Sequence, residues 1–163
     1  MTDRLPPARR SWLMSRVRGK DTTPELAVRR TAHALGYRFR LHRRDLPGTP
    51  DLVFPSRRAV IFVHGCFWHR HPFCRKASVP TSRVDFWNEK FDRNVSRDRR
   101  NVDELVQLGW RVLTIWECET HEKGRAALTA RLLSFLGVPR SAAAQDAPDD
   151  HAFDEQTRLG PRL

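Results

Sequence analysis

Between Pro50 and Cys74 the chain concentrates the side chains best suited to chemistry. One carboxylate, Asp51, opens an apolar run, and a second run ends in His64, followed by Cys66, Phe67, Trp68, His69, His71 and Cys74. A carboxylate beside imidazoles suggests metal-assisted hydrolysis. A bound magnesium ion stabilises charge on a phosphate and acidifies its water, and an imidazole is poised near neutral pH to take the proton. Asp51, His64 and His69 are the candidates for that work, with backbone carbonyl oxygen and substrate phosphates completing the metal shell. The competing reading of Asp51 is a turn-forming residue after Pro50.

Thiols beside imidazoles suggest zinc. Cys66, His71 and Cys74 lie close in sequence, and Cys118 follows a later apolar run that can pair beside them. Four Cys/His ligands with no open position make a structural site that pins a loop lacking a core of its own. The spacing leaves open which of His64, His69 and His71 takes part. The alternative is three unrelated thiols. Aromatics also occur in cationic surroundings: Phe67 and Trp68 in the loop, and Phe86 and Trp87 at the start of a charged helix. Such rings pack in a core or wedge between bases, which costs least at a mismatched pair. Lys90 and Asn94, one helical turn apart, belong to a solvated, salt-bridged face or address base edges.

These residues need elements to hold them. Asp51–Phe54 and Ala59–His64, joined by a Pro-containing turn at Pro55–Arg58, read as a β-hairpin whose first and last residues sit side by side. Both runs are almost wholly apolar, as in a sheet covered on both faces. Before them, Ser11–Val17 suits a short helix. Thr23 is placed to cap a second, with Pro24 in its first turn, Glu25 complementing its dipole from the surface, and Gly36 ending it. Tyr37–His42 alternates apolar and basic residues as a half-buried strand does. Gly65–Asp85 reads as an irregular loop, Phe86–Leu108 as a long charged helix with Phe91, Val95, Val102, Leu105 and Val106 on one side, Trp110–Trp116 as a strand and Lys123–Leu136 as a last helix. This order predicts an α/β sheet with helices on its faces. Residues 1–20 form a basic arm, 21–140 the domain, and 141–163 an Ala/Asp/Pro-rich tail expected to be disordered.

The chain has 163 residues, 39% hydrophobic and 30% charged, with a formal net charge of +11. One domain with a real core fits that length. The charge favours a polyanionic partner, nucleic acid first, over an ordinary basic protein. No apolar run reaches the ~20 residues of a membrane span, and the start lacks an apolar signal, so an intracellular protein is expected. Three cysteines suit metal ligation better than a disulfide framework in a reducing compartment.

Four stretches carry a resemblance: Pro47 to Asp51, Val60 to His71, Phe86 to Arg100 and Leu108 to Cys118. Through them the sequence closely resembles the bacterial very short patch repair endonucleases, over roughly Arg9 to Leu136. The resemblance implies a restriction-endonuclease-like fold, a central mixed β-sheet flanked by helices with a zinc-stapled loop. It implies nicking of double-stranded DNA 5′ to the thymine of a T:G mismatch left by deamination of 5-methylcytosine. Asp51 then holds magnesium with the Val63 backbone carbonyl, where family members can carry threonine. Phe62 stands where related nucleases place a second acid, and His64 where they place a lysine. His69 resembles the base or water-orienting histidine, and Glu25 an assisting acid. Cys66, His71, Cys74 and Cys118 match the structural zinc set. Phe67, Trp68 and Trp87 match a major-groove wedge, Met14 a minor-groove contact, and Lys90 and Asn94 readers of the mismatched pair. A cytoplasmic, nucleoid-associated monomer is expected, working beside mismatch-repair proteins and a repair polymerase.

Two rivals remain at this level: a zinc-stapled DNA-binding protein without catalysis, and a nuclease of the same fold with another DNA target.

Overall fold

The computed structural model describes residues 19–139. The expected Ser11–Val17 helix, Met14, most of the basic arm and the 141–163 tail lie outside them. The described elements are α1 (Thr23–Ala34), β1 (Arg40–Leu41), β2 (Leu52–Phe54), β3 (Ala59–His64), α2 (Val84–Gln107), β4 (Arg111–Trp116) and α3 (Arg125–Leu136), with short 3-10 turns between them. The strands form one mixed sheet in the order β1-β2-β3-β4. The β2–β3 hairpin is antiparallel, with Leu52 opposite Ile61 and Phe54 opposite Ala59, while β3 and β4 run parallel. Helices therefore flank a mixed α/β sheet. Among the described residues no helix is long and apolar enough to cross a membrane.

The unbroken apolar character of β2 and β3 follows from burial on both faces. Leu52, Phe54, Ala59 and Ile61 pack with Val28 and Ala32 of α1 and Leu128, Leu132 and Leu136 of α3. Val53, Val60 and Phe62 point the other way, onto Leu105 of α2. Because the side-chain period is two, each strand feeds both cores at once. Both β3 and β4 end at the same edge, with His64 opposite Trp116. Whatever His64 does is therefore done beside the segment that carries Cys118.

Several expectations shift. Thr22, not Thr23, caps α1, accepting from the Glu25 N–H, so Pro24 sits one place further in. The strand expected over Tyr37–His42 shrinks to Arg40–Leu41. Its alternation breaks because His42 adopts a left-handed backbone, φ 46°. That turn leaves Leu41 exposed and swings His42 inward. Asp51 stands just outside the ladder rather than within β2. The long helix starts earlier, at Val84, and Val106 on its supposed apolar side is exposed. Lys123 belongs to a 3-10 turn before α3.

Some of the basic charge is committed to the fold. At the sheet end away from His64, Arg57 donates to the Leu136 and Val138 carbonyls, Arg58 to Leu108 and Arg111 to Phe135. Cations placed on carbonyls at helix C-termini satisfy orphan acceptors and the dipole together. Arg57→Ala is expected to lower stability by about 1–2 kcal/mol, read by urea denaturation, with DNA binding unchanged.

Candidate active site and metal cluster

The turn before Asp51 is shaped by close approach. Gly48, with φ 71°, sits so near Asn101 of α2 that a Cβ would lie 2.6 Å from the Asn101 side-chain nitrogen. That contact brings α2 against the start of β2. A cavity of about 450 Å³ opens here, lined by Glu25, His42, Asp51, His64, His69 and Asp98 among others.

Asp51 Oδ2 accepts the Val63 N–H at 2.7 Å. The carboxylate thus takes the place of the ladder partner missing at the end of the hairpin. In an extended strand a residue's N–H and C=O share an edge, so the Val63 carbonyl lies on the edge that Asp51 occupies. Burial pushes the Asp51 carboxyl up to about 6; the Val63 N–H opposes the rise and the nearby Glu25 charge adds to it. Glu25 is not the surface residue that its position in the first helical turn suggests, being only 4% exposed. It accepts from the Asp21 N–H at 3.0 Å, the Thr22 hydroxyl at 2.9 Å and Arg29 at 2.8 Å.

His64 and His69 stack with ring centroids 3.9 Å apart. Burial, helped by the neighbouring His69, pulls the His64 imidazole down to about 4, so it is neutral at pH 7. His69 Nδ1 pairs with Asp98 of α2. Burial drives the Asp98 carboxyl up, but the His69 hydrogen bond and the charges around it more than offset this, leaving it below its ordinary value. Asp98 is therefore an ionised acceptor, and His69 keeps Nε2 as its remaining nitrogen. Sequence reasoning missed Asp98, because one acid within a charged helix carries no mark of its long-range partner. Asp98→Asn is expected to lower the turnover of any hydrolysis based on His69 by at least about tenfold without weakening DNA binding. Single-turnover kinetics and a binding titration check this.

Beyond His64, the four predicted metal ligands converge. The donor atoms of Cys66, His71, Cys74 and Cys118 all lie within 4.8 Å of one another. Cys66 Sγ is 3.6 Å and Cys118 Sγ 3.3 Å from His71 Nδ1. Tetrahedral zinc, with Zn–S near 2.3 Å and Zn–N near 2.0 Å, calls for donor separations of roughly 3.5–3.8 Å. The residues present therefore fit such an ion. Burial pushes the Cys66 thiol up to about 12 and raises that of Cys118, while the Lys76 backbone N–H lowers Cys74. The His71 ring stacks on Trp116 at 4.3 Å, and Trp116 meets His64 edge-on at 5.5 Å. A single indole thus joins the cysteine cluster to the cavity.

Phe67 packs at 5.0 Å from Trp68, 5.6 Å from Trp87 and 5.1 Å from Phe91. Trp87 is only 5% exposed and floors this cluster, whereas Phe86 beside it is exposed. Lys90 Nζ lies over the Trp68 ring at 5.1 Å, and Asn94 donates to the Trp68 carbonyl at 3.1 Å. Both candidate base readers are thus gathered against Trp68.

Comparison with known proteins places this geometry in context. The profile of a family described as DNA mismatch endonuclease Vsr matches residues 2–76. A type II nicking enzyme, V.XorIIP of Xanthomonas oryzae pv. oryzae, is 57% identical over 136 residues, covering 83% of this chain and 98% of that protein. The DNA mismatch endonuclease Vsr of Escherichia coli K12 is 43% identical over 154 residues, 93% of this chain and 98% of its own. A type II nicking enzyme of Neisseria meningitidis, V.NmeAIP, is 40% identical over 123 residues, 76% and 87% respectively.

Proposed function

The chain belongs to the DNA mismatch endonuclease Vsr family, and from that premise we propose that it nicks one strand of double-stranded DNA 5′ to the thymine of a T:G mismatch. A mismatch-directed nicking endonuclease acting on DNA is what the relatives support. The hydrolytic part of the reading rests on one observation: Asp51, Glu25, His64, His69 and Asp98 share a single cavity at the edge where β3 ends; the T:G target and the 5′ cut rest on the family resemblance. The sheet and helices are read as the restriction-endonuclease-like arrangement.

The donor set fits a hard cation. Asp51 is a half-buried carboxylate, raised to about 6, with a backbone carbonyl on the same strand edge. Asp51 and the Val63 carbonyl would hold magnesium, which supplies charge stabilisation at the scissile phosphate and acidifies bound water. His69, oriented through Nδ1 by Asp98, takes the water proton at Nε2. His64, neutral and stacked on His69, fixes that ring without adding positive charge. Glu25 assists as a second acid at the water side. Phe67 and Trp68, backed by the buried Trp87 beneath them, form the wedge that tests base stacking, Lys90 and Asn94 read the mispaired bases, and Met14 enters from the arm. Cys66, His71, Cys74 and Cys118 would hold zinc to keep the wedge loop in place.

The enzyme is read as a monomer of the bacterial cytoplasm and nucleoid, handing its nick to mismatch-repair proteins and a repair polymerase. Trp68→Ala is expected to reduce the preference for T:G over T:A duplex by about tenfold, the loss of one stacking contact of roughly 1–3 kcal/mol. General DNA affinity should fall less. Competition binding with both duplexes measures this, and equal losses on both would count against the wedge. A duplex panel of T:G, U:G and fully paired DNA tests the target itself.

A further inference from the structure

His42 lies between the buried Glu25 and the half-buried Asp51 of the cavity. Its Nε2 is 3.9 Å from Glu25 Oε2 and its Nδ1 is 3.9 Å from Asp51 Oδ1. The His42 and Asp51 side chains are each 17% exposed. The ring reaches this place only because the backbone turns left-handed, φ 46°, against the alternation of the strand before it. For a non-glycine residue that conformation carries a cost and tends to persist where function requires it.

The chemistry of the ring is fixed by Arg29. The Arg29 Nη2 group stands 2.9 Å from His42 Nε2. A guanidinium has no acceptor, so Arg29 donates and Nε2 must carry a lone pair. The proton then sits on Nδ1, the nitrogen facing Asp51. Neither ring nitrogen is left with a free lone pair, so in this arrangement His42 is not a metal ligand. The nearby Asp21, Glu25 and His42 donors are likewise no cation site, because Arg29 already occupies them. It pairs with Asp21 at 2.5 Å and with Glu25 at 2.8 Å.

We propose that His42 is a positioning residue for the Asp51 carboxylate: Arg29 holds the ring in one tautomer, with its Nδ1–H edge turned toward Oδ1 at 3.9 Å, a dipolar contact longer than a hydrogen bond. This rests on the reading of Asp51 as a metal ligand. A lysine or arginine in this place would also steady Asp51, but its charge would repel a divalent cation on the same carboxylate. The imidazole passes on the polarisation of Arg29, while the formal charge stays on the guanidinium, paired with Asp21 and Glu25. It also keeps Glu25 and Asp51 apart, so each acid retains its own place in the cavity.

The test uses the full chain, zinc-loaded and bound to T:G duplex, with Mn²⁺ as the metal probe, read by electron paramagnetic resonance alongside magnesium-dependent nicking. His42→Ala is expected to weaken Mn²⁺ binding by at least about tenfold, in the range for outer-shell partners of metal ligands. It should raise the magnesium needed for half-maximal nicking to match, with KM for duplex unchanged. His42→Gln retains an oxygen to accept from Arg29 and an N–H for Asp51, so it should recover most of the loss. Unchanged Mn²⁺ affinity in His42→Ala overturns the proposal. So does a His42→Gln variant as defective as His42→Ala at equal thermal stability. Asp51→Asn separates the two levels. If it binds Mn²⁺ as the parent does, the ligand reading fails and takes His42 with it. If it loses the ion while His42→Ala keeps it, His42 alone fails.

Discussion

Asp51→Asn is expected to abolish nicking and, in the same protein, to raise the stability of the magnesium-free chain. The first effect follows from removing the carboxylate proposed to hold magnesium. The second follows from the pKa. Burial holds the Asp51 carboxyl at about 6 in the fold, against an ordinary 3.8. As pH rises from about 4 to 6, the unfolded chain loses this proton before the folded one, so stability falls across that window and the penalty persists above it. At pH 7.5 the charge costs up to about 3 kcal/mol. Asn removes the charge, and its side-chain oxygen can still accept the Val63 N–H. His64 has the opposite sign. Its pKa drops from 6.5 to about 4 on folding, so stability is gained as pH rises from about 4 to 6.5. In the parent the two nearly cancel. In Asp51→Asn the His64 contribution stands alone, and the curve of stability against pH should steepen between pH 4 and 6.5. Thermal melts of the zinc-loaded protein in magnesium-free, chelator-free buffers measure all of this. An Asp51→Asn chain that melts below the parent at pH 7.5 would contradict the buried-charge account.

Cys118→Ser should strip zinc, lower the melting temperature by about 10 °C or more and reduce nicking together. Each ligand thiol must lose its proton to bind metal, and burial pushes Cys66 to about 12 and raises Cys118. Metal-free, the cluster therefore keeps protons that zinc must displace, so zinc affinity should fall as pH is lowered. Structural zinc contributes on the order of 10 kcal/mol in small domains at neutral pH. Losing one ligand of four removes several kcal/mol of that, and a chain of this size shifts by about 2–4 °C per kcal/mol. Activity follows because His71 stacks on Trp116, and Trp116 abuts His64. A Cys118→Ser protein with full zinc by elemental analysis would remove Cys118 from the cluster.

Much of this site could be read from the sequence, for local reasons. The hairpin bringing Asp51 to Val63 needs only two apolar runs and a Pro-containing turn. The cysteine cluster needs only residues that are near neighbours, plus one strand end. What the sequence hid depends on distant packing. Glu25 looks like a surface acid in a first helical turn, until Arg29 and the Thr22 cap enclose it. Asp98 looks like any acid of a basic helix, until α2 crosses the loop at His69. His42 obeys strand alternation on paper and breaks it through a single positive φ. Net charge points to nucleic acid, and the relatives support DNA as the substrate, although Arg57, Arg58 and Arg111 serve helix ends remote from the cavity.

The most direct test of the central claim is strand-resolved nicking by the full chain on end-labelled T:G and T:A duplexes, with magnesium or with EDTA. The account predicts one cut, 5′ to the mismatched thymine, requiring magnesium and absent from T:A. Equal cutting of both duplexes, or tight T:G binding with no magnesium-dependent nick from the zinc-loaded protein, would contradict it.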